Sequence, residues 1–144
     1  MRACPRRSFA WLIVITLFPL IIGGCLSTSA SPSVRVLSVS RRDSLDYSTA
    51  RHGWQYVRIR VAVSNRGGST LSINPYQFKL ETGEGVIYNY TGVSSSGALP
   101  RVQLVSGGSV DGMLTFEIPR DSSGLILIWE GSAFGPRIRV PIAR

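Results

Sequence analysis

The segment WQYVRIRVAVSN, residues 54–65, decides the fold. Val57, Ile59, Val61 and Val63 take alternate positions, and Tyr56, Arg58, Arg60 and Ala62 fill the places between them. A two-residue period sends the two sets to opposite faces of one β-strand, apolar toward a core and polar away from it. The chain leaves this strand through NRGGS (65–69), a run of turn formers.

The same grammar continues on both sides. Downstream, STLSI (69–73) and YQFKLE (76–81) read as strands separated by Asn74-Pro75, with Phe78 and Leu80 on one face. TGEG turns the chain into VIYNYT (86–91), and a loose GVSSSGALP leads to RVQLV (101–105). After SGG, the run SVDGMLTFEIP places Val110, Gly112, Leu114, Phe116 and Ile118 together. LILIWEG (125–131) is apolar almost throughout, the mark of a central strand, and RIRVPIA (137–143) turns Ile138, Val140 and Ile142 inward. Upstream, VRVLSVS (34–40) alternates with a phase slip between Val36 and Leu37, which predicts a bulge. SLDYSTARHG (44–53) is the one place left for a helix beyond the N-terminus. Roughly eight strands with Gly-rich turns predict an all-β, two-sheet β-sandwich over residues 34–144.

A chain of 144 residues has room for one such domain. Both cysteines, Cys4 and Cys25, precede it, so no disulfide or thiolate metal cluster holds the sandwich together. Basic residues outnumber acidic ones 16 to 8, and all but Lys79 are arginine. Arg2, Arg6 and Arg7 belong to the N-terminal segment, which leaves 13 basic against 8 acidic residues after residue 24.

That segment reads as an address. MRACPRR is a positive n-region, and SFAWLIVITLFPLII is shorter than the ~20 apolar residues of a membrane span. Ile22-Gly23-Gly24-Cys25 then resembles the lipobox of prokaryotic lipoprotein signals. In that reading residues 1–24 are a signal peptide, removed by cleavage after Gly24. Cys25 becomes the N-terminus with a diacylglyceryl thioether, and two acyl chains anchor stably where one does not. Residues 25–33 are then a short Ser-rich tether. The location expected is the extracytoplasmic face of the cell membrane. Arg6-Arg7 before Phe9 leaves the export route open between the general and twin-arginine systems.

Several elements together resemble a known family. They are a strand ending in Asn65, an F-x-L strand (Phe78, Leu80) before a Gly turn and Tyr88, and a V-x-G-x-L-x-F-x-x-P run from Val110 to Pro119. Over residues 54–130 the chain resembles the secreted, telokin-like immunoglobulin-fold domains of unknown function found in bacterial and archaeal lipoproteins. The resemblance implies an immunoglobulin-like sandwich, export and no known catalysis, and it transfers no functional residues.

The residues themselves offer little chemistry. His52 is the sole histidine, lies in a loop segment, and has no G-x-S-x-G elbow to serve. Asp43 and Asp46 lack the spacing of a calcium loop, and nothing pairs Glu117 with Glu130 as a glycosidase would need. No phosphate-loop or dinucleotide fingerprint occurs, so no cofactor, metal or catalytic residue is expected. Asn89 opens the glycosylation sequon Asn89-Tyr90-Thr91. The outward faces carry Trp54, Tyr56, Arg58 and Arg60, with Arg137, Arg139 and Arg35 by the same parity, a pattern suited to polyanions or glycans. Nucleic acid is not expected, since export removes the protein from it. The function expected is a lipid-anchored binding module that docks a protein partner or an anionic envelope component. The alternative is a structural accessory subunit recognising a membrane complex through a sheet edge.

Overall fold

The computed structural model describes residues 32–93, 96–131 and 137–143. Among them run β1 (Ser33–Arg42), β2 (Ser44–Leu45), β3 (Ser48–Thr49), β4 (Trp54–Ser64), β5 (Leu71–Ile73) and β6 (Phe78–Glu81). They are followed by β7 (Ile87–Asn89), β8 (Val102–Leu104), β9 (Ser109–Pro119), β10 (Ile126–Glu130) and β11 (Arg137–Pro141). Two sheets form the sandwich, one in the order β1-β4-β9 and the other β11-β10-β6-β7, and every paired strand in them is antiparallel. The two-stranded pairs β2-β3 and β5-β8 complete the fold.

The alternation in β4 works as the sequence predicts. Val57, Ile59, Val61 and Val63 are fully buried, and in register with them on β9 stand Phe116, Leu114, Gly112 and Val110. Phe78, Leu80, Leu127 and Trp129 fill the facing sheet. Each such side chain contributes about 1.5–3 kcal/mol of burial, which supplies the stability no disulfide provides. β10 is central, between β11 and β6, as its apolar run requires. The phase slip in β1 is a bulge: the register jumps between Val36 and Ser38, leaving Leu37 unpaired and exposed.

The segment 44–53 corrects one expectation. No helix forms there; β2 and β3 pair as a small hairpin, Ser44 opposite Thr49, with Asp46 at φ 46° in the turn between them. Ser, Asp and Thr compete with helical bonding by local hydrogen bonds, and the segment has no apolar stripe to offset that. The hairpin corrects a second expectation, the exposure of Tyr56. This ring is only 4 % exposed, and its hydroxyl shares a 2.8 Å hydrogen bond with Ser48 Oγ of β3.

Candidate anion-binding cleft

The arginines singled out by strand parity divide between the two sides of the sandwich. Arg35, Arg58 and Arg60 belong to the β1-β4-β9 sheet, whereas Arg137 and Arg139 lie on β11 of the opposite sheet. They form no common face. On the β11 side, Arg137 pairs with Glu130 at 2.6 Å, Arg139 with Glu81 at 2.8 Å, and Lys79 with Glu130 at 2.7 Å. The hydrogen bond from Arg139 holds the Glu81 carboxyl below its usual range, and that from Lys79 does the same for Glu130. Ile128, only 1 % exposed although it shares their side of the sheet, stands in register between Lys79 and Arg139. Long basic stems cover apolar surface in this way while their charges stay in water. This face is a ladder in which three bases share two carboxylates, each base paired.

The other sheet carries a different arrangement at one end. β4 begins between the C-terminal ends of β1 and β9, so Arg42 stands opposite Tyr56 and Pro119 opposite Trp54. The hairpin and the turn after β9 border an open cleft of about 770 Å³, lined among others by Arg41, Arg42, Arg58, Arg120 and the carboxylates Asp43 and Asp46. Arg41 donates from Nη2 to the Ser122 carbonyl at 3.0 Å and from Nη1 to that of Arg120 at 3.5 Å. Gln55 Nε2 donates to the same Arg120 carbonyl at 2.7 Å, while the Arg120 guanidinium pairs with Asp43 at 2.8 Å. Among the described residues neither the exposed Arg42 nor the half-buried Arg58 has an ion-pair partner, and Arg58 Nε is buried without a hydrogen bond. Guanidinium groups held in a concavity focus positive potential and match oxyanions in shape. Only Arg58 was visible as a candidate from strand parity. Arg41 and Arg42 in SRRD, and Arg120 in PRDS, sit where strands end, so alternation says nothing about where they point.

The remaining candidates have partners of their own. Arg60 makes a two-point contact with Asp111, from Nε at 3.1 Å and Nη2 at 2.7 Å. Trp54 has the Arg51 guanidinium 3.9 Å from its ring centre and meets Tyr88 edge-on at 5.8 Å. Arg51 also binds Glu117 at 3.2 Å, on the opposite side of the sandwich from Glu130. His52 is exposed in the turn before β4, and Asn89 is exposed on β7. Among the described residues no three His, Cys, Asp or Glu side chains converge as a metal site would need. Cys25 lies outside the described residues.

The motif residues, by contrast, are architectural. Asn65 Nδ2 donates to the carbonyls of Ser69 and Leu104 at 2.7 and 2.8 Å, and Gly67 N donates to its Oδ1 at 3.0 Å. One side chain thereby pins the turn after β4 to β8. At Gly112 the segment around Leu99 passes so closely that an added Cβ would stand 2.4 Å from Leu99 Cα.

Comparison with known proteins places these features. A family described as "Domain of unknown function (DUF4352)" matches residues 27–138. No match among curated protein sequences reaches significance. Three solved structures share the fold at low identity. The ycdA protein of Bacillus subtilis, described as a candidate lipoprotein, is 20 % identical with a TM-score of 0.67 over 79 % of this chain. The match covers only 37 % of ycdA, so this chain corresponds to a part of that protein. The yjhA protein of Bacillus subtilis is 18 % identical, TM-score 0.61, over 78 % of this chain and 92 % of its own. The secreted protein MPT63 of Mycobacterium tuberculosis is 14 % identical, TM-score 0.60, over 77 % and 82 %.

Proposed function

This chain belongs to the DUF4352 family of domains of unknown function, and on that premise we propose that it is a lipid-anchored, extracytoplasmic binding module whose arginine cleft docks an anionic envelope component. Cys25 carries the anchor in this reading. The lipobox-like Ile22-Gly23-Gly24-Cys25 supports it, as do the descriptions of ycdA as a candidate lipoprotein and of MPT63 as secreted. The single observation that carries the binding role is the cleft: four guanidinium groups gathered at one end of the sandwich, of which, among the described residues, only Arg120 has an ion-pair partner. Function by binding rather than turnover fits a domain in which Glu81, Glu117 and Glu130 are each tied to a basic side chain.

Two measurements test the reading together. Cys25→Ser is expected to release the protein from the membrane fraction; unchanged retention means an uncleaved apolar helix holds it instead. On an immobilised polyanion such as dextran sulfate, Arg42→Gln with Arg58→Gln is expected to lower the salt needed for elution. Arg137→Gln with Arg139→Gln shifts it far less, because those charges already face Glu130 and Glu81. An equal shift for both pairs would show that diffuse charge, and not the cleft, does the holding.

A further inference from the structure

The cleft has a charge to match. We infer that it binds a phosphate monoester dianion; this rests on the binding reading above. Two of the cleft's four arginines are already occupied within the domain. Arg41 is committed to two backbone carbonyls and Arg120 to Asp43, so both shape the wall. Arg42 and Arg58 are left over, with no ion-pair partner among the described residues, and the four guanidinium groups set against Asp43 and Asp46 leave the lining at a net +2. In register they are diagonal neighbours on one face, since Arg42 pairs with Tyr56 and Arg58 follows two residues later. Diagonal positions lie ~7–8 Å apart at the backbone, a span that long side chains close around a single small anion.

A carboxylate brings one charge and leaves the other guanidinium unmatched. A phosphate monoester carries about −1.5 to −2 at neutral pH, with three acceptor oxygens for two forked donors. Arg58 adds a further reason. Its Nε is already out of water and unbonded, so part of the group's desolvation precedes binding.

The test titrates inorganic phosphate into the full lipidated chain in phosphatidylcholine vesicles, with ionic strength held constant by NaCl. Saturable heat is expected with phosphate and none with acetate, and affinity rises between pH 6 and 8 as the dianion replaces the monoanion. Arg58→Gln and the exposed Arg42→Gln each weaken binding at least tenfold, whereas Arg60→Gln, at the Asp111 pair, leaves it unchanged. Absence of saturable binding, equal binding of acetate, or indifference to both cleft substitutions overturns the inference. Repeating the titration in phosphatidylglycerol vesicles at 0.15 M salt, where the Debye length is ~8 Å, separates the two sources of such an anion. Unchanged affinity is expected; affinity lost to the headgroups would assign the site to the bilayer itself and overturn a monoester ligand. Should dextran sulfate depend on the cleft while phosphate does not bind, the ligand class alone is wrong. If neither binds, the binding reading itself falls.

Discussion

Asn65 is 3 % exposed and spends its whole side chain on backbone groups, two carbonyls and one amide. Replacing it by alanine leaves those groups without partners in a region that water does not fill, each unsatisfied group costing ~1–3 kcal/mol. Asn65→Ala is accordingly expected to lower stability by about 2–4 kcal/mol, read as a lower urea midpoint with an unchanged slope. Asn65→Asp keeps the acceptor and loses the donor, setting a carboxylate against two carbonyls, and is expected to do no better. The sequence signals that a strand ends at this asparagine. It does not signal the partner 39 residues away in Leu104, because that pairing depends on how β8 returns past the turn. The arginines show the same limit from the other side. Strand parity placed Arg58 on the outer face, yet its value as a site comes from Arg42 and from a hairpin beside it, neither of which alternation can supply.

At the scale of elements, β9 is held by more than its pairing with β4. On its free edge Leu99 N donates to the Met113 carbonyl at 3.0 Å, and Met113 N to the Gly97 carbonyl at 2.8 Å. Gly112 permits this approach by having no side chain, since an added Cβ would meet backbone atoms, which cannot swing aside. Gly112→Ala is therefore expected to push the Leu99 segment off the edge, with a cost of about 1–3 kcal/mol for overpacking. Hydrogen exchange locates the damage: the amides of Leu99 and Met113 lose protection, and those of β4 paired with β1 keep theirs. A glycine within an alternating strand is visible in the sequence as a place of close approach or a bulge. Which segment approaches is visible only in the fold. The hairpin over Tyr56 is a comparable case. Its two-residue strands are too short for any periodicity, and the segment acquires structure from the Ser48–Tyr56 hydrogen bond and the Arg120–Asp43 pair around it.

For the whole molecule the distribution of charge separates two faces with different uses. The β11 side pairs both its arginines, with Glu81 and Glu130, whereas at the cleft end of the β1-β4-β9 sheet Arg41, Arg42 and Arg58 have no carboxylate partner among the described residues. The ladder makes a pH prediction of definite sign. Native Glu81 and Glu130 titrate below the ordinary value of 4.5, so their contribution is present above the unfolded carboxylate range and lost as pH falls through the lowered native values. Urea midpoints are expected to vary little on this account from pH 7 to 5 and to drop below about pH 4.5. The Glu81→Gln, Glu130→Gln double variant is expected to show a shallower drop over the acid range. An identical acid slope in the variant would remove the ladder from the account.

The two-sheet sandwich, its central strand, the bulge in β1 and the core of alternating valines and leucines were determined by the sequence alone. Each follows from local periodicity, and a half-buried strand has to repeat every second residue wherever it lies. The partition of arginines between opposite sheets, the burial of Tyr56 and the assembly of the cleft were decided by tertiary structure. Those depend on which strand ends become neighbours, and that is settled by packing two apolar faces together across long stretches of chain.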